Sequence, residues 1–222
     1  MAESARWAVF LGQSVDDSDF ALANVAVRVR APAADETSGL ARLIFMVEDV
    51  AGAARQLERR GLALSLCDGE AFVSAHGVSL GLSLAGTSSW DAAAPGGIAA
   101  LDHVVIRTSD PERAIATYGA RLGLDFRLDR SNPAWGARLL FFRCGDAVVE
   151  VSAALDAPRS DAPDRLSGLA FRARDPDEAR SRLAAAGFDV SEVRSGRKPG
   201  TRVFTVRSGL AGAPCLVLSS AS

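Results

Sequence analysis

The sequence predicts an α+β protein made of tandem β-α-β-β-β units, whose mixed sheets would curve into cupped, barrel-like surfaces. Three observations predict it. Three segments share one grammar: "RLIFMVEDVAGAARQLERRGLAL" (42–64), "HVVIRTSDPERAIATYGARLGLDF" (103–126) and "GLAFRARDPDEARSRLAAAGFDV" (168–190). Each runs from a short apolar strand through an Asp into an Ala- and Arg-rich helix, and then to a Gly. After each, the pattern changes to short alternating strands around Gly-containing turns, as tandem strand pairs require.

The helices follow from their ends. Asp49, Asp110 and Asp175 lie 61 and then 65 residues apart, and Gly61, Gly123 and Gly187 follow them by 12 or 13 residues. An N-cap Asp accepts from the first unpaired helical N–H groups, and Pro111 and Pro176 suit the first helical position, where no N–H is needed. Glu178 suits a capping box with Asp175. The glycines supply the left-handed residue that stops each helix. Ile115, Tyr118 and Leu122 fall on one helical face, the face that would meet a sheet.

The strands follow from alternation. Residues 70–84 read as a hairpin turning near His76-Gly77, and 137–153 as a hairpin turning at Gly145-Asp146. Residues 201–220 read as two strands around a Gly-rich loop. Upstream, "RWAVFLG" (6–12) and "ANVAVRVRAP" (23–32) are expected to be two strands with no preceding helix, the remnant of another unit. The Gly-, Ser-, Ala- and Pro-rich stretch 85–100 reads as a linker. The expected organisation is a degenerate N-terminal half (1–90), a linker (91–100) and a domain of two complete units (101–222).

Composition narrows the function. A net charge of −2 with interspersed signs argues against a nucleic-acid surface. No apolar run is long enough to span a membrane, and "MAESARWAVFLGQSVDD" lacks the pattern of a secretory signal. Three scattered cysteines, Cys67, Cys144 and Cys215, suit a reducing compartment, so a cytoplasmic protein is expected. No phosphate-cradling glycine loop, CxxC pair, nucleophile elbow or HExxH helix is present.

"LDHVVI", then "SDPERAIATYGARLGLDF", then "VVEVS" resembles the vicinal oxygen chelate superfamily of glyoxalases, bleomycin-resistance proteins and extradiol dioxygenases. The resemblance is best over 100–220 and implies paired units forming one cupped sheet. It also implies that metal ligands come from the first and last strands of paired units. His103 matches the first-strand position and Glu150, 47 residues later, the last-strand position. In the next unit the matching positions fall on Gly168 and Val217, and in the N-terminal unit Arg42 stands where His103 would. None of these is a metal ligand. A third ligand would have to come from His76, Asp146 or a second chain.

Two functions remain open on these residues. The first is a divergent glyoxalase-, epimerase- or dioxygenase-like enzyme (a lyase, isomerase or dioxygenase) acting on a small carbonyl, enolate or catechol-type substrate. In that reading His103 and Glu150 are catalytic. They would hold a divalent metal (Mn, Fe, Ni or Zn), or Glu150 would act alone as a general base raised by an apolar cup. Val148 and Ser152 would share the face of Glu150, with His103 or Arg143 as its partner. The second is a metal-free small-molecule binding or resistance-type protein with a relic metal site. Substrate contact is assigned to Trp135, as a lid or loop anchor, to Arg143, and to Arg197. Arg197, Lys198, Thr201 and Arg202 form either an anion contact or a solvated hairpin tip. The partners expected are a small-molecule ligand and a second copy of the chain, with no nucleic acid and no membrane.

Overall fold

The computed structural model describes residues 3–14, 19–31, 39–67, 69–84 and 96–219, so positions 85–95, including 91–95 of the expected linker, lie outside the described residues. Two compact units form: Met1–Leu40 with Ser88–Val104 and Gly168–Ser222, and Ala41–Thr87 with Val105–Ser167. Among the described residues no helix is long and apolar enough to cross a membrane.

The first unit opens with helix α1 (Glu3–Leu11) and a two-stranded hairpin, β1 (Asp19–Ala21) and β2 (Ala26–Arg28). Strand β7 (Ile98–Thr108) starts in this unit and ends in the other. The last repeat supplies β11 (Arg165–Ala173), α4 (Pro176–Ala185), β12 (Arg194–Ser195), β13 (Arg202–Leu210) and β14 (Ala213–Ser219). Their hydrogen-bonded order is β12-β13-β14-β11-β7, with β11 and β14 parallel and β13 antiparallel to both β12 and β14.

Residues 6–12 were expected to be a strand and form most of α1 instead. The seven-residue run is almost wholly apolar, so alternation cannot separate the two periods. The tertiary partners decide it: Trp7, Phe10 and Leu11, at helical i, i+3, i+4 spacing, are buried in one cluster with Phe171, Leu183 and Phe188. Phe10 meets Phe171 edge-on at 5.2 Å between ring centroids. Arg182 of α4 finishes the helix by donating to the carbonyls of Val9 (2.5 Å) and Phe10 (2.7 Å), two acceptors the helix end leaves unpaired.

In the second unit β3 (Arg42–Val47), α2 (Val50–Arg59), β4 (Ser65–Cys67), β5 (Glu70–Ala75) and β6 (Val78–Leu84) form a sheet of order β3-β6-β5-β4. The middle repeat continues from β7 through a helical segment, Pro111–Arg121 (α3), into β8 (Asp125–Asn132), β9 (Ala137–Cys144) and β10 (Ala147–Ala154). Here the order is β7-β10-β9-β8. All three repeats are therefore β-α-β-β-β.

The helix ends are those the residues predict. Asp49 accepts from the Gly52 N–H, Asp110 from Glu112 and Arg113, and Asp175 from Asp177 and Glu178. Gly61, Gly123 and Gly187 have φ of +82, +83 and +84°. In α2 and α4 the closing bond reaches back five residues, Leu62 N–H to Leu57 O and Phe188 N–H to Leu183 O. In the middle repeat it reaches back six, Leu124 N–H to Tyr118 O, because residues 115–121 are wound as a π-helix. That repeat carries one extra residue between its Asp and its Gly, and the wider turn absorbs it.

Two carboxylates, Asp129 of β8 and the cap Asp110, give the stability a pH dependence. Arg138 donates to Asp129 and holds its carboxyl below the usual range. The Arg113 N–H does the same for Asp110. A depressed carboxyl stabilises the fold fully above its unfolded pKa of about 4, and that contribution is lost as pH falls through the lowered folded value. The urea midpoint is therefore expected to fall below about pH 4, and Asp129→Asn to flatten that part of the profile. Identical profiles for the two proteins would contradict this.

Candidate functional site

In β7 the residues Ile98, Ala100, Val104, Ile106 and Thr108 are buried, and the alternate positions are half-buried or exposed. The alternation is interrupted at Asp102, which is half-buried where its face is otherwise buried; His103 is half-buried on the other face. Asp102 Oδ2 lies 2.8 Å from His103 Nδ1, with the side chains 34% and 19% exposed. Neighbouring strand residues ordinarily point to opposite faces, so sequence reasoning missed this pair. The adjacent carboxylate was its only signal. The pair lies at the end of the first unit's part of β7.

Just before it, the backbone of Leu101 is fixed from two sides. Asn24 pairs with both its groups, Nδ2 donating to Leu101 O (2.8 Å) and Oδ1 accepting from Leu101 N–H (2.9 Å). Arg172 Nη2 donates to the same carbonyl at 3.1 Å. The segment upstream of the first repeat thus contributes hydrogen bonds at the strand that carries His103.

Glu150 belongs to the second unit, midway along β10. It is half-buried on the face of Val148 and Ser152, as alternation predicts, while Val149, Val151 and Ala153 are buried on the other face. Phe141 stands opposite Glu150 in the ladder and Arg143 opposite Val148, so Arg143 and Glu150 share a face one diagonal step apart. Arg143 is exposed and its Nε donates to Gly145 O (3.1 Å), closing the β9–β10 turn.

The position of Val217 needs correction. Val217 is buried in the first unit's core opposite Phe171, on the face of β14 that also buries Ala213 and Cys215. Glu150 lies on the less buried face of its strand, so its counterparts by face are Leu216 and Leu218. Neither has a donor atom. Aligning two short apolar strands by letters slips easily by one residue, and one residue exchanges the faces. Gly168 and Arg42 hold their expected places seven residues before the N-cap Asp.

Trp135 is 44% exposed at the end of a 3₁₀ turn, Pro133–Trp135, closed by Asn132 and by left-handed Gly136. Arg197 is exposed on the β12–β13 connection in the first unit. Two of its three expected companions serve the structure. Arg202 pairs with Asp177 of α4, and the nearly buried Thr201 donates to Lys198 O. His76 is half-buried in a turn with φ +51° and contacts Ala162 O at 3.2 Å.

A second feature missed by sequence is Asp164, in the connection 156–167. It is 3% exposed, and Arg113 Nη2 donates to it at 2.8 Å. Its backbone N–H donates to His76 O (2.8 Å). Tyr118 is fully buried nearby, and burial followed by the charge of Asp164 pushes its hydroxyl pKa up. Nothing in "DAPRSDAPDRLS" distinguishes this Asp from the other two, Asp156 and Asp161, since only the fold brings Arg113 to it.

A divalent metal would need further donors beside His103. Among the described residues no group of three or more His, Cys, Asp or Glu side chains is placed to hold one. The Asp102–His103 bond is the kind that orients a metal-bound histidine, but it is equally the kind that orients an acid–base histidine. Among the described residues the donors present do not fit a catalytic divalent metal.

The family model of the Glyoxalase/Bleomycin resistance protein/Dioxygenase superfamily matches residues 102–205. Over that segment the chain is similar to the superfamily. The segment spans the middle repeat from Asp102 and most of the last one. Among solved structures, methylmalonyl-CoA epimerase from Mycobacterium tuberculosis is similar at 24% identity, over 56% of this chain and 90% of that one, with a TM-score of 0.46. A variant of the Streptomyces coelicolor methylmalonyl-CoA epimerase in complex with 2-nitronate-propionyl-CoA is similar at 18% identity, over 57% and 100%, with a TM-score of 0.45. No curated protein matches the chain.

Proposed function

We propose that this protein acts on a small oxygenated substrate of carbonyl, enolate or catechol type by moving a proton, with His103 as the acid–base group. The observation that carries the reading is the 2.8 Å contact between Asp102 Oδ2 and His103 Nδ1. A carboxylate on Nδ1 fixes the ring's tautomer and orientation, so that proton exchange with a substrate takes place at Nε2. Glu150, in the other unit and half-buried opposite Phe141, is the alternative acid–base group. Arg197, in the unit of His103, is assigned to substrate contact there, and Arg143 and Trp135 to substrate contact in the unit of Glu150. Movement of a proton beside a carbonyl makes an isomerase or lyase the favoured class.

The test is deuterium wash-in beside the carbonyl, followed by NMR in D₂O over a panel of 2-oxo acids, 1,3-dicarbonyls and acyl thioesters. Enzyme-dependent exchange that His103→Asn removes is the expected result. Saturable binding of a panel member without exchange would overturn the enzymatic reading in favour of the alternative, a metal-free binding or resistance-type protein. One observation favours that alternative: Phe126 (40%), Leu128 (47%) and Trp135 (44%) are large apolar side chains exposed within one unit.

A further inference from the structure

The first repeat has no assigned role, yet one face of its sheet carries an ordered set of donors. Arg42, Ser79 and Ser74 stand opposite one another on the same rung of β3, β6 and β5. Arg42 Nε donates to Ser79 Oγ at 2.9 Å. Its guanidinium carbon lies 3.8 Å from the centroid of the Phe72 ring. The cation reaches the ring because Gly81, opposite both Phe72 and Ile44, has no side chain. A Cβ there would come within 2.6 Å of two Phe72 ring carbons. The ring therefore lies over the Gly81 backbone and the guanidinium lies on the ring, inside one compact unit.

We infer that this rung is a binding site for a small oxyanion, a carboxylate or phosphate group. A planar guanidinium held by one Nε bond and a ring face presents its two terminal nitrogens as a fork, the geometry that pairs with two anionic oxygens. Ser79 already accepts from Arg42, so its own O–H is left to donate, and the exposed Ser74 adds a second hydroxyl donor across the ladder. Among the described residues the hydrogen-bond partner of Arg42 is the neutral Ser79, so its charge is not cancelled by a bound carboxylate. The site is independent of His103 and Glu150, and it gives the first repeat a role.

The experiment is an amide NMR titration of the full chain with inorganic phosphate and, separately, with benzoate, whose ring adds apolar surface to the carboxylate. Saturable shifts at residues 42, 74 and 79 are expected with at least one anion. Arg42→Gln should weaken that binding at least about tenfold, and Arg42→Lys, which keeps the charge and loses the fork, should weaken it by a smaller factor. Gly81→Ala should weaken it by displacing Phe72, with the other amide shifts of the chain unchanged. Saturation with phosphate alone assigns the site to phosphate groups, and saturation with benzoate alone to carboxylates. Shifts that persist in Arg42→Gln, or that rise linearly with both anions, would overturn the inference.

Discussion

His103→Asn is expected to lower turnover by about 10²–10⁴-fold, the range over which a positioned general acid–base group contributes. Asparagine is close in size and can still donate to Asp102, so the strand should keep its conformation. It cannot take up and return a proton. Asp102→Asn is the companion variant. It leaves the imidazole in place but replaces an acceptor-only carboxylate by an amide that can stabilise the other tautomer, and the expected loss is again large. If the chemistry rests on Glu150 instead, Glu150→Gln should abolish turnover while leaving the fold intact. The measurements are initial rates on the panel member showing deuterium exchange, beside the urea midpoint of each variant. Full activity in His103→Asn with an unchanged midpoint would remove the ring from the reaction. Loss in Glu150→Gln alone would move the proton chemistry to that carboxylate.

Asp164→Ala is expected to carry the largest stability effect, about 3–5 kcal/mol, the cost of removing one partner from a buried ion pair. Asp164 is almost fully buried, and Arg113, with 19% of its side chain exposed, would keep its charge against the carbonyls of Ser160 and Ala162 without the carboxylate between them. Urea denaturation of the variant beside Asp161→Ala, an exposed Asp three residues earlier, separates burial from composition. A loss below about 1 kcal/mol would class the pair with exposed salt bridges. The double variant Asp164→Ala, Arg113→Met should recover part of the loss, because it removes the uncompensated charge.

The residues that were legible in the sequence are those whose role is local. Asp49, Asp110 and Asp175 cap, and Gly61, Gly123 and Gly187 stop, because a side chain two or three positions from a free N–H and a backbone that must turn left-handed need no distant partner. Turn residues at 76–77 and 145–146 were readable for the same reason. The alternation of Val149, Glu150 and Val151 gave the correct faces of β10. Illegible were the features set by distant groups. Residues 6–12 form a helix because Phe171, Phe188 and Arg182 receive it. Val217 faces the core because β14 runs parallel to β11 in one register rather than another.

The sequence by itself determined the three β-α-β-β-β repeats and the strand positions of His103 and Glu150. Periodicity, caps and turns are properties of short segments, and they survive whatever the segments pack against. Only the tertiary structure decided that His103 is held by Asp102, that Asn24 and Arg172 converge on Leu101, and that Arg42 lies on Phe72 above Gly81. Each depends on a side-chain direction or on a contact across the sheet, and these are fixed by register and packing rather than by any local run of residues.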